Sequence, residues 1–236
     1  MLRCLVLFLC WPAFAVAQET VTARFDVRFG PLRVAEITMV ANETDGAYSA
    51  AGRVMSTGLA GVFRDIRFDL SAEGTREGAA FLPLAYREDV NTGRRISQVV
   101  LEYLAGIPVV VSAAPAREAG PWTIDATDQS GTVDPMSALY RLARPRPLEE
   151  LCDWSVDVFD GRRRSLLVLG PADEDDGLAY CYGEYRRVAG FSPEEMEHGR
   201  HFPFAVEFEQ LPAGLWRLTR VETQTTYGRV RIIGRF

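Results

Sequence analysis

From Thr20 to Phe29 the side chains alternate without a break: Val21, Ala23, Phe25, Val27 and Phe29 are apolar, and Thr22, Arg24, Asp26 and Arg28 are polar. A period of two sends successive side chains to opposite faces of an extended chain, so this run is a strand with one wet face. The rhythm recurs at Ile66, Phe68 and Leu70, then at Ala80, Leu82, Leu84 and Tyr86. It returns at Trp154, Val156 and Val158, and at Phe202, Phe204, Val206 and Phe208. Between the runs sit Thr44-Asp45-Gly46, Asn91-Thr92-Gly93, Asp160-Gly161, Asp176-Gly177 and Pro212-Ala213-Gly214, the residues that tight hairpins require. Strands joined by such short turns pair antiparallel with their neighbours. The expected fold is mainly β: a long antiparallel meander of about eleven or twelve strands, forming a strongly curved sheet or half-barrel.

One segment departs from period two. Asp134 can cap a helix whose first position is Pro135; Arg141 and Arg144 suit the negative end of its dipole, and Pro145 stops it. The pattern predicts a helix over 134–144, with Met136, Leu139, Tyr140 and Ala143 as an apolar stripe packed on the apolar face of the sheet. Met136, Leu139 and Tyr140 are the residues that would form a lid over a ligand held there. A further break is expected at Gly58-Leu59-Ala60-Gly61, and a short helix or loop over Ser192 to His201.

Residues 1–17 have the form of a secretory signal peptide: Met1-Leu2-Arg3, an apolar run from Leu5 to Leu9, and Ala15-Val16-Ala17 as a small-x-small cleavage site. Leu9 is too bulky to precede a lipidated Cys10, so cleavage after Ala17 is the expectation. The apolar run falls short of the roughly 20 residues a spanning helix needs, and no later segment comes close. The expected organisation is a leader at 1–17 and a single β-rich domain at 18–236, exported to the periplasm.

Export agrees with cysteine use, since only Cys152 and Cys181 lie beyond the leader. An even pair in an oxidising compartment predicts a disulfide, and neither cysteine has the Cys-x-x-Cys spacing of redox or zinc sites. Without the leader the chain carries 25 basic and 32 acidic residues, a net charge of −7 that disfavours nucleic acid as a partner. Every basic residue is arginine, which removes Schiff-base lysines and the phosphate-loop lysine from consideration.

Catalytic signatures are thin. His198 and His201 could share a metal on a helix, but Gly199 lies between them and no second cluster supplies ligands, so a solvated charged loop is the reading. Asp173-Glu174-Asp175-Asp176-Gly177 resembles the start of a calcium loop, yet Gly183 stands where the closing glutamate should be; a solvated turn is expected. There is no Gly-x-Ser-x-Gly elbow. No catalytic, metal or cofactor residue is assigned. The 13 Phe, 8 Tyr and 4 Trp supply a core, and one helix cannot cover the whole apolar face of so large a sheet, which leaves room for an apolar groove.

Four stretches together resemble a known bacterial family: Gly58 to Gly74, Asp134-Pro135-Met136-Ser137-Ala138-Leu139, Phe159-Asp160-Gly161-Arg162-Arg163, and Cys181 to Phe191. They look like the exported proteins grouped as domain of unknown function 3108. The resemblance implies a periplasmic β protein of unassigned activity, similar in outline to the half-barrel of lipoprotein carriers and sensors. It brings no catalytic residues. Asp134 and Ser137 look like helix capping, Asp160-Gly161 like a hairpin turn and Gly190 like a backbone requirement.

The expected function is therefore non-enzymatic: binding of an apolar ligand such as a lipid, or of a lipidated or extended envelope partner, in the curved sheet. An envelope glycan hydrolase and a protein-binding scaffold are the alternatives, with a scaffold presenting an exposed sheet edge.

Overall fold

The computed structural model describes residues 19–58, 65–116, 118–225 and 228–236. The leader expected at 1–17, and most of the break expected at 58–61, lie outside the described residues.

Thirteen strands form one antiparallel sheet. The N-terminal seven are β1 (Glu19–Phe29), β2 (Leu32–Thr44), β3 (Ala47–Ser56), β4 (Arg67–Glu77), β5 (Ala80–Asn91), β6 (Ile96–Leu104) and β7 (Ile107–Ala114). The C-terminal six are β8 (Trp154–Phe159), β9 (Arg164–Asp175), β10 (Leu178–Ala189), β11 (His201–Gln210), β12 (Trp216–Thr225) and β13 (Gly228–Gly234). Each set is a meander, and the two are joined by the first strand and the last, β1 against β13, from Phe25 opposite Gly234 to Phe29 opposite Val230. The spatial order runs β7-β6-β5-β4-β3-β2-β1-β13-β12-β11-β10-β9-β8, so the sheet stays open and its two edges, β7 and β8, are consecutive in sequence.

That topology forces residues 115–153 to travel from one edge to the other, and they carry the first helix, α1 (Pro135–Ala143), with them. α1 meets β3, β4 and β5 on one side and β8 and β12 on the other, so the sheet curves around it. Asp134 caps it by accepting from Ser137 N (2.9 Å), Pro135 opens it, and Arg144 N donates to Tyr140 O at its end. Gly52 of β3 gives the helix room: an added Cβ there would lie 3.0 Å from Met136 Sδ. Tyr48, Phe81 and Tyr140 stack edge-on or tilted, with ring centres 5.2–5.8 Å apart. Burying each such side chain contributes roughly 1.5–3 kcal/mol, and aromatic pairing adds to it.

The helix buries Met136, Ser137, Ala138, Tyr140 and Leu142, more than one face, because strands flank it on two sides. Leu139, expected in the buried stripe, stands 48% exposed. A second correction concerns β5. Phe81, Pro83 and Tyr86 are buried, whereas Leu82 and Leu84 face out. The strand carries one extra residue, Leu84, between the pairs Gly74–Pro83 and Glu73–Ala85. This bulge switches the facing of everything after it, which strict alternation does not anticipate.

Cys152 and Cys181 are disulfide-bonded, with Cα atoms 6.3 Å apart. Cys181 is in β10, Cys152 lies in the turn before β8, and β9 runs between the two. The bond ties the crossing segment to the interior of the C-terminal meander. Within the segment 192–201, Pro193–Glu197 form a short helix, α2, opened by a capping box between Ser192 and Glu195, and His201 already begins β11.

Candidate functional site

The concave face is filled. Asp134 is fully buried and accepts from Ser137 N and from Ser137 Oγ (2.6 Å), while the Tyr48 hydroxyl lies 2.6 Å from the same Ser137 oxygen. Burial pushes the Asp134 carboxyl up to about 6 against these hydrogen bonds, and burial likewise raises Tyr48. Nearby, Tyr140 donates to Glu43 Oε2 (3.1 Å) and Arg76 Nε to Glu43 Oε1 (2.8 Å). Burial acts to raise Glu43, but the bonds from Arg76 and Tyr140 prevail and hold it below the usual carboxylate range. These links fasten α1 to β2, β3 and β4. They are internal and saturated, and no histidine stands beside them.

Arg146 was invisible to sequence reasoning in its Arg-Pro-Arg-Pro setting. It is almost wholly buried and donates to the carbonyls of Arg141, Leu142, Arg144, Glu150 and Leu151. Its main chain exchanges hydrogen bonds with Trp216 of β12 (3.2 and 2.8 Å), and its guanidinium lies 5.2 Å from the Phe208 ring centre. Burial, then the neighbouring Arg144 and Arg141, lower its pKa to about 9. Of the residues expected as a lid, Met136 and Tyr140 point into this packed interior and Leu139 points out of it.

The histidines do not come together. His198 Nδ1 lies 2.7 Å from the Glu194 carbonyl oxygen, while His201 pairs with Glu184 on β10. The acidic run 173–177 makes the β9–β10 hairpin. Among the described residues no group of three or more His, Cys, Asp or Glu side chains could hold a metal ion. None of the described helices is long and apolar enough to cross a membrane.

Unfilled space lies instead on the outward face of the N-terminal meander and at the end of β7. On the outward face of the N-terminal meander is a hollow of about 970 Å³, bordered by a polar ladder of Arg53, Asp69 and Asp89 and reaching Ser112 and Ala114 of β7. Arg67 joins this ladder by pairing with both aspartates. A second hollow of about 430 Å³ sits at the inner mouth, between the end of β7, the start of the crossing segment and the β8–β9 turn. Both reach Ala114.

The two edges differ. Along β8, Val133 adds a short parallel bridge: Val133 N donates to Asp157 O (2.9 Å) and Phe159 N to Val133 O (2.8 Å). β7 pairs only with β6 among the described residues, although the single turn Ala126–Asp128 packs against it and Gly131 N donates to Gly106 O just before it (3.2 Å); its sequence, Ile-Pro-Val-Val-Val-Ser-Ala-Ala, carries no charge. Two features restrain it: Pro108 offers no donor, and Val111 is an extra residue between the pairs Leu101–Val110 and Val100–Ser112.

An open antiparallel sheet wound around a single crossing helix defines the class of this protein. The chain belongs to the family described as Protein of unknown function (DUF3108), whose model matches residues 24–201. No curated protein matches it. Among solved structures it is similar to the crystal structure of a beta-barrel-like protein of domain of unknown function DUF1849 from Brucella abortus. The identity is 13%, the TM-score 0.46, and 93% of this chain and 96% of that chain are covered.

Proposed function

We propose that this is a non-enzymatic binding protein of the periplasm that takes an extended segment of another envelope protein as an added strand along β7. The observation that carries the reading is the asymmetry of the two edges: Val133 bridges β8 through the main chain, whereas the outer edge of β7, although the turn Ala126–Asp128 packs against it, is uncharged and β-branched and pairs with no further strand among the described residues. Main-chain hydrogen bonds to a free edge give affinity, and pockets for alternate side chains give specificity. Here the hollows on the two faces both reach the end of β7. The filled concave face speaks for this choice over a lipid held inside the sheet. Pro108 and the bulge at Val111 limit indiscriminate pairing between copies of β7.

The test is site-specific photocrosslinking in living cells from Val109 and Val111, with exposed Tyr182 as control, in the otherwise native protein with its leader. The reading expects a discrete envelope protein crosslinked from β7 and not from position 182, lost when Val110 is replaced by proline in a chain that still folds. Identical crosslinks from all three positions, or none from β7, would overturn it. Recovery of the protein in the cytoplasmic fraction would overturn the periplasmic assignment.

A further inference from the structure

The hollow at the inner mouth is rich in unanswered hydrogen-bond donors, independently of any strand added to β7. Ser97 faces inward on β6 opposite Val90, is only 9% exposed, and its hydroxyl has no hydrogen-bond partner. Arg163 Nε is also buried without one, although its Nη2 is held by Glu195 and its guanidinium stacks on Phe191 at 5.0 Å. Both residues line the hollow. Arg95 from the β5–β6 loop and Arg162 from the β8–β9 turn reach it from opposite ends of the open sheet. Neither has a carboxylate within 4.0 Å among the described residues.

Two of the acceptors in the same wall are engaged. Asp160 Oδ1 accepts from the backbone N of Arg162 (2.8 Å) and Arg163 (2.7 Å), which fixes the turn that presents both arginines. Glu88 Oε2 accepts from Tyr86 OH (2.8 Å). Glu118 is exposed on the rim. A buried donor without a partner costs about 1–3 kcal/mol, so a wall holding two of them, flanked by two guanidinium groups with no carboxylate within 4.0 Å among the described residues, is built to meet an acceptor. Arginine forks match the planar, two-oxygen geometry of carboxylates. The apolar part of the wall is made by Trp122, itself 47% exposed, with Ile124 and Pro115. A volume of about 430 Å³ is in the range of small-molecule sites.

We infer that the hollow bounded by Ser97, Arg95, Arg162, Arg163 and Trp122 is a binding site for a small organic carboxylate with an apolar body. The anion meets the arginines and the Ser97 hydroxyl, and the body lies against Trp122.

The experiment is calorimetric titration of the full mature chain with 4-phenylbutyrate, its uncharged amide and inorganic phosphate. The carboxylate is expected to bind, with the amide and phosphate each at least about tenfold weaker, because one lacks the charge and the other the apolar body. Arg95→Gln combined with Arg162→Gln, two exposed positions whose loss leaves the core untouched, should weaken the carboxylate at least about tenfold, and Trp122→Ala should weaken it at unchanged melting temperature. The inference is overturned by equal binding of carboxylate and amide, by phosphate binding as tightly as the carboxylate, by undiminished binding to the double variant, or by no binding up to about 10 mM.

Discussion

The guanidinium of Arg146 answers carbonyls at the end of α1 and in the turn that follows, where a helix terminus would otherwise leave acceptors unsatisfied inside the protein. Arg146→Met preserves bulk and removes every donor, so denaturant unfolding should show a loss of about 3–5 kcal/mol; a loss below about 1 kcal/mol would mean that water or neighbouring groups satisfy those carbonyls. Asp134 gives a pH prediction. Its folded pKa, pushed by burial to about 6, lies above its ordinary 3.8, so the folded chain holds the proton to higher pH. Its contribution to stability is therefore fully present below pH 3.8, falls as pH rises to about 6 by up to about 3 kcal/mol, and is flat above. Glu43 has the opposite sign: its lowered pKa adds stability that is lost as pH falls through the acid range. Subtracting the curve of Asp134→Asn, which keeps a capping side chain, isolates the first effect; a difference that does not change between pH 4 and 6 would contradict it. The cap was legible because Asp-Pro opens helices in a recognisable way. Arg146 was not, since an arginine between prolines reads as surface loop until the crossing segment is folded.

At the scale of elements, the hairpins were legible where the turn residues are specific. Asp45-Gly46 and Asp176-Gly177 both take positive φ at both positions, as two-residue hairpins require. Ala105-Gly106 adopts the same conformation with weaker chemistry, and that turn separates β6 from β7. The facing of β5 was not legible, because Phe81-Leu82-Pro83-Leu84 offers an apolar residue to either face and only the bulge decides between them. Gly74, beside that bulge, has no room for a side chain: a Cβ would fall 2.5 Å from Leu82 O and 2.6 Å from the Tyr48 hydroxyl. Gly74→Ala should therefore cost about 1–3 kcal/mol and shift Tyr48 away from Ser137, whereas Gly78→Ala, with nothing within 4 Å, is strained only by its positive φ and should cost less. Melting both variants side by side checks the order. The disulfide was legible as a pair, although its path across β9 was not. Replacing both cysteines by alanine should lower stability by about 3–4 kcal/mol, the loop-closure value for a separation of 29 residues; an unchanged denaturation midpoint would show that the crossing segment is held without it.

For the whole molecule, period two and turn chemistry predicted an antiparallel meander, and the sheet is one. What local patterns could not supply is the pairing of β1 with β13, a contact between the two ends of the chain that turns two meanders into one sheet. Once that pairing is made, β7 and β8 become opposite edges, the segment between them must cross the concave face, and α1 fills it. Both described hollows reach the end of β7, which makes that edge the centre of the functional account. Residue-resolved hydrogen exchange on the free protein tests it most directly. The account predicts that alternate amides of residues 109–114 exchange at nearly unprotected rates, while Phe159 on the opposite edge, bonded to Val133, is protected like the sheet interior. Protection of every β7 amide to the level of β6 would show that the edge is already covered, and would contradict the proposal that it waits for a partner strand.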